Sequence, residues 1–177
     1  MDKRMSAVGG PLGTPARRPD AVCHLMGRAE NAGLEGWARL WQTAGGVLLW
    51  AAVRGLPVTG RLCDPAVFAL HIHAGERCAG TPDQPFADVD GHYNPGKCPH
   101  PAHAGDLPPL FADRQGRAWY AVRLDRFTVR EVLGHTMIVH AHADDFTSQP
   151  SGNAGEMIAC GVIHRPQGRG GDRYGSA

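Results

Sequence analysis

Apolar and polar positions along this chain alternate in short runs of period two, interrupted by turn residues, and no long stretch keeps the 3.6-residue period of an amphipathic helix. Residues 21–26 form a first apolar run. Residues 34–42 (LEGWARLWQ) and 47–56 (VLLWAAVRGL) flank Gly45 and Gly46, a pair that supplies the positive φ a hairpin turn needs. In the first arm Trp37, Arg39 and Trp41 alternate with Ala38 and Leu40, as on a two-faced strand, so the pair reads as two antiparallel strands. Residues 67–73 follow as another strand. About forty residues rich in Gly, Pro, His and Asp then run without a sustained period, an abnormal length unless something pins the loop. A turn at 113–116 leads into a strand at 117–124, and 136–141 (TMIVHA) and 157–164 (MIACGVIH) complete a set of about seven or eight. Short strands, tight turns and no clear helix predict an antiparallel sandwich or barrel.

Composition agrees with this picture and narrows the partners. The 177 residues suit one domain. Residues 1–20 and 165–177 mix Gly, Pro and Arg without hydrophobic periodicity and read as flexible tails on a folded part at 21–164. No repeat is visible, against a solenoid or propeller. Lys and Arg number 18 against 17 Asp and Glu, so no basic field recommends nucleic acid or an anionic membrane. The longest apolar stretch, near 46–53, is far short of the roughly 20 residues a membrane span requires. The first residues lack the apolar stretch of about 7 to 15 that a signal peptide carries, so either the protein stays inside, in the cytoplasm, or its export signal is missing from this chain. Nothing in the pattern distinguishes a monomer from a homodimer. Cysteines at 23, 63, 78, 98 and 160 show no CxxC spacing; one disulfide with spare thiols is the modest expectation.

The unusual quantity is histidine: ten, beside two lysines, with eight of the ten between His71 and His142. His71 and His73 stand two apart in a strand, so both imidazoles should leave one face. His140 and His142 repeat the spacing, and periodicity does not say which of them is a ligand. The long loop reads HYNPGKCPHPAHAGDL and holds His92, His100, His103 and Asp106. Three imidazoles and a carboxylate suit a tetrahedral zinc, and coordination would explain how so long a loop is ordered. Together these groups could hold two metals. Four imidazoles around one ion suggest a redox-capable copper.

The segments FALHIHAGERCAG (68–80), DGHYNPGKCPHPAHAGDL (90–107), LGHTMIVHAHADD (133–145) and GNAGEMIACGVI (152–163) resemble, in that order, the copper/zinc superoxide dismutases, close to their bacterial superoxide dismutase-like branch. The resemblance covers about residues 21–164. It implies an all-β, eight-stranded antiparallel Greek-key β-sandwich or flattened barrel with immunoglobulin-like layering and long metal-binding loops. It further implies copper on His71, His73, His92 and His140, which would be the catalytic set, with His142 outside it. Zinc would take His92, as bridge, with His100, His103 and Asp106. Asp144 matches the aspartate that hydrogen-bonds one imidazole of each set, and Cys78 with Cys160 matches the family disulfide; Cys23, Cys63 and Cys98 have no assigned partner. The implied reaction is disproportionation of superoxide to dioxygen and hydrogen peroxide. One position departs from the pattern. The family's channel arginine, three residues before the second disulfide cysteine, is here Met157, beside Glu156. That substitution implies a slower enzyme unless another cation, Arg165 or His142, compensates. The alternative reading is a copper-binding or buffering protein on the same scaffold with little turnover. The disulfide implies an oxidising, extracytoplasmic compartment, against the missing signal peptide.

Overall fold

The structure is a computed structural model and describes residues 14–167, so most of both expected tails lies outside it. Among the described residues the chain forms nine strands: β1 (Ala21–Gly27), β2 (Glu35–Thr43), β3 (Gly46–Arg54), β4 (Val67–Phe68), β5 (Leu70–His73), β6 (Leu110–Phe111), β7 (Ala118–Leu124), β8 (Thr136–His140) and β9 (Met157–His164). Seven form one curled antiparallel sheet in the order β5-β8-β9-β1-β2-β3-β7, and β4 pairs with β6. From β3 the chain crosses to the opposite end of this order, returns beside β3 as β7, and crosses again to β8. These crossings are the Greek-key connections of a β-sandwich closing toward a barrel.

The hairpin forms at the expected place. β2 and β3 pair from Glu35↔Arg54 to Thr43↔Gly46, and Gly46 adopts φ +118°, where a side chain would meet the carbonyl of Leu124. Strand alternation then sorts the faces: Leu40, Val47, Leu49, Ala51 and Val53 point into a core with Leu25, Leu70, Ile72, Met137 and Ile163. On the outer face Trp37 stacks on His24 with ring centroids 4.2 Å apart, the Arg39 guanidinium lies over Trp50, and Trp119 is exposed. Ahead of β1, Arg17 and Asp20 lie on the sheet, the Arg17 carbonyl accepting from Trp41 Nε1 and the Asp20 carboxylate from the Gln42 amide.

Two expectations are corrected. The run 67–73 is not one strand: it breaks at Ala69, whose N–H donates to the His142 carbonyl, and β4 and β5 join different sheets. A helix exists, a single turn α1 (Val129–Val132) started by a capping box in which Thr128 and Glu131 exchange hydrogen bonds. Four residues are too few to leave a periodic signature.

Candidate metal centre

Strand β5 carries His71 and His73, both buried, and β8 presents His140 beside it through the antiparallel register Leu70↔Val139 to His73↔Thr136. The long loop is pinned to β5 by backbone. Isolated bridges join His73 to His92 and His71 to Asp106, and the Tyr93 N–H donates to the Ile72 carbonyl at 2.8 Å. A loop with little periodicity of its own thus borrows the strand's geometry. The outcome is two sets whose ligand atoms all lie within 4.8 Å of one another: His71, His73, His92 and His140, and His92, His100, His103 and Asp106. His92 is common to both.

Hydrogen bonds decide which nitrogen each ring offers. His71 Nε2 donates to Asp144 Oδ2 at 2.8 Å, leaving Nδ1 buried and without a hydrogen-bond partner. His73 Nδ1 donates to the Asp90 carbonyl at 2.6 Å, and His140 Nδ1 to the Gly155 carbonyl at 3.3 Å. The two Nε2 lone pairs consequently face each other at 3.4 Å, an arrangement that favours a cation between them. On the other side His100 Nε2 donates to Asp144 Oδ1 at 2.9 Å, and His100 Nδ1, buried and making no hydrogen bond, lies 3.2 Å from Asp106 Oδ2. His92 Nδ1 lies 2.8 Å from Asp106 Oδ1 and 3.4 Å from His103 Nδ1, while its Nε2 points to the imidazole set with no partner. Buried polar atoms are normally paired. Three orphaned ring nitrogens aimed into two clusters are what a pair of metal ions would satisfy, so the donor sets fit copper in the all-imidazole site and zinc in the site with the carboxylate.

Burial sets the charge state. Desolvation lowers His73 to a pKa of about 3 and His140 to about 4, and pushes His71 further down, where the surrounding imidazoles add to the effect. All three are therefore neutral near pH 7, as ligation requires. Burial alone would raise Asp106, but hydrogen bonds with His92 and the His103 N–H hold it below the ordinary carboxylate range. Asp144, 6% exposed, links the two clusters and also caps the Phe146 N–H. Gly152, at φ +67°, lies against it so closely that a Cβ would sit 2.0 Å from Asp144 Oδ1.

The remaining residues fall as follows. His142 lies past the end of β8, exposed, with its ring against Gly155 and outside both sets. Met157 begins β9 opposite His140 and packs on Val89, Ile138 and Cys160. Glu156 is paired with Arg28, so its charge is offset. Arg165 follows the far end of β9, eight residues or about 26 Å of extended chain from Met157, too far to replace a cation there. Cys78 and Cys160 form a disulfide; Cys23 is buried and free, and Cys63 and Cys98 are exposed and free. Gly152 and the carbonyls of Asp90 and Gly155 carry site geometry that no side-chain pattern announces.

A Greek-key sandwich that gathers six imidazoles and one carboxylate into two clusters sharing a single ring defines a two-metal protein. Comparison with known proteins makes this specific. The profile of the copper/zinc superoxide dismutases (SODC) matches residues 35–163, and the chain belongs to that family. It is 34% identical over 142 residues to superoxide dismutase [Cu-Zn] 2 of Aquifex aeolicus, covering 72% of this chain and 78% of that one. It is also 34% identical to the superoxide dismutases [Cu-Zn] of Deinococcus radiodurans, covering 61% of this chain and 68% of the other, and of Photobacterium leiognathi, covering 62% and 72%. The family defines an enzyme, superoxide dismutase, with copper and zinc as its cofactors.

Proposed function

We propose that this protein disproportionates superoxide, with copper held by His71 Nδ1, His73 Nε2, His92 Nε2 and His140 Nε2, and zinc by His92 Nδ1, His100 Nδ1, His103 Nδ1 and Asp106. The observation that carries the reading is the sharing of His92 between two sets whose free lone pairs converge. Bound copper supplies the one-electron chemistry by which two superoxide ions and two protons become dioxygen and hydrogen peroxide, and zinc supplies a fixed, redox-silent charge. The chain's own groups do the rest. Asp144 takes the Nε2 protons of His71 and His100 and so holds both rings in the tautomer and orientation the clusters need. Asp90 and Gly155 do the same for His73 and His140 through their carbonyls. His92 Nε2 has no hydrogen-bond partner in the protein, so whenever copper did not occupy its lone pair it would be the atom to hold a proton and release it toward the product.

Met157 supports a slower enzyme than relatives bearing arginine there, because a thioether neither attracts nor orients an anion. The same absence favours the second reading, a copper-holding protein with little turnover. Elemental analysis of copper and zinc combined with pulse radiolysis separates them. Superoxide decay proportional to bound copper is expected; full loading of both sites without catalytic decay would overturn the enzyme and leave the copper-holding role. The Cys78–Cys160 bridge supports an extracytoplasmic setting for either.

A further inference from the structure

Residues 100–103 (HPAH) bring two candidate zinc imidazoles three residues apart, and no strand or helix holds that stretch. Its main-chain polar groups still need partners. Two side chains from distant segments supply them. Gln149, in the loop between β8 and β9, accepts from the His100 N–H through Oε1 at 3.0 Å and donates through Nε2 to the His100 carbonyl at 2.7 Å. A single carboxamide thus occupies both backbone groups of His100, as a paired strand would. From another segment, between β7 and α1, Arg126 Nη1 donates to the Pro101 carbonyl at 3.0 Å and to the His103 carbonyl at 3.3 Å. The His103 N–H is taken by Asp106 Oδ2 at 2.9 Å. The peptide that carries both imidazoles is therefore gripped at its first residue by Gln149 and farther along by Arg126.

We propose that Gln149 and Arg126 are positioning residues of the zinc site, clamping the main chain of 100–103 so that His100 Nδ1 and His103 Nδ1 stay aimed at Asp106. The proposal rests on the reading that zinc occupies His92, His100, His103 and Asp106. Its physical content is preorganisation. Metal coordination tolerates errors of only about 0.2 Å in ligand position, and a loop ordered before binding loses less conformational entropy when the metal arrives. Neither residue hydrogen-bonds to a member of the copper set, so the clamp acts first on the zinc side.

The test uses the full chain, with zinc release followed into excess chromogenic chelator and Co²⁺ as a spectroscopic probe of the same site. Gln149→Ala and Arg126→Ala are each expected to speed zinc release about tenfold or more, the scale of outer contacts to metal ligands. Both should alter the Co²⁺ d–d bands while copper retention stays within about twofold of wild type. Arg126→Lys should restore most of the loss, because one nitrogen makes both Arg126 contacts and an ammonium can stand in its place. Should Gln149→Ala fail to fold, the Arg126 pair decides. Wild-type release rates with unchanged Co²⁺ bands in the alanine variants would overturn the clamp, and so would parallel loss of copper and zinc, the mark of a general structural role. A wild-type protein that gives no Co²⁺ spectrum at this site would instead overturn the zinc reading beneath it.

Discussion

A neutral imidazole has one proton for two nitrogens, so whatever accepts that proton chooses the lone pair the ring presents. At His71 the chooser is Asp144, and at His73 it is the Asp90 carbonyl, which is why strand neighbours of identical type offer Nδ1 in one case and Nε2 in the other. The H-x-H spacing could put both rings on one face of a strand, because strand alternation is a property of order along the chain. It could not identify the nitrogen, because the acceptor of His73 is a carbonyl and carbonyls are the same in every residue. Two predictions belong at this scale. Met157→Arg should raise the catalytic rate and make it fall with added salt; electrostatic steering, of which these dismutases are a standing example, spans about 10- to 1000-fold in on-rate. A rate and salt dependence identical to wild type in pulse radiolysis would show that position 157 does not face the incoming anion. The second concerns the metal-free protein. His73 and His140 titrate near 3 and 4 when folded but near 6.5 when unfolded, so between these values the unfolded chain binds more protons. Stability should then rise with pH across that window and be lost as pH falls from about 6.5. Urea midpoints that match at about pH 7 and about pH 5 would contradict it.

Among the elements, the long regular strands were legible and the short ones were not. β9 (Met157–His164) matches its expected run residue for residue, whereas β4 and β6 have two residues each and exist only because they meet each other. The break at Ala69 has the same origin. The run 67–73 is continuous in hydrophobicity, and only the demand of the His142 carbonyl for the Ala69 N–H shows where it changes sheets. The loop over 92–106 was readable as a collection of ligand types, yet Gln149 and Arg126, which hold it, carry side chains common on any surface. α1 offers a clean measurement. Its Thr128 hydroxyl and Glu131 carboxylate satisfy otherwise open N–H groups at the start of the turn, and Thr128→Ala should cost about 1 kcal/mol in urea unfolding with metal content unchanged. Loss of zinc in that variant would show that α1 supports the site as well as the fold.

For the whole molecule, the disulfide and the sheet order act together. Cys78 lies in the loop after β5 and Cys160 in β9, with 82 residues of sequence separation, so the bridge closes a loop containing the candidate zinc ligands, β6, β7, α1 and β8. By a chain-entropy estimate such a closure is worth about 4 kcal/mol. Replacing both cysteines with serine should lower unfolding free energy by about that amount, and a change under about 1 kcal/mol would mean that the unfolded chain is already constrained without the bridge.

The outer face of that array has an optical consequence. The chain's four tryptophans are Trp37 and Trp41 on β2, Trp50 on β3 and Trp119 on β7, all adjacent strands at one end of the order, while the candidate ligands come from β5, β8 and the loop between β5 and β6. Indole emission therefore reports the environment of β2, β3 and β7, strands that carry none of the candidate ligands. Followed beside the ligand-field absorption of a bound cobalt or copper ion, it divides the molecule into two separately observed halves. If the absorption fades at a lower denaturant concentration than the emission shifts, the metal loops come apart while the tryptophan-bearing sheet still stands.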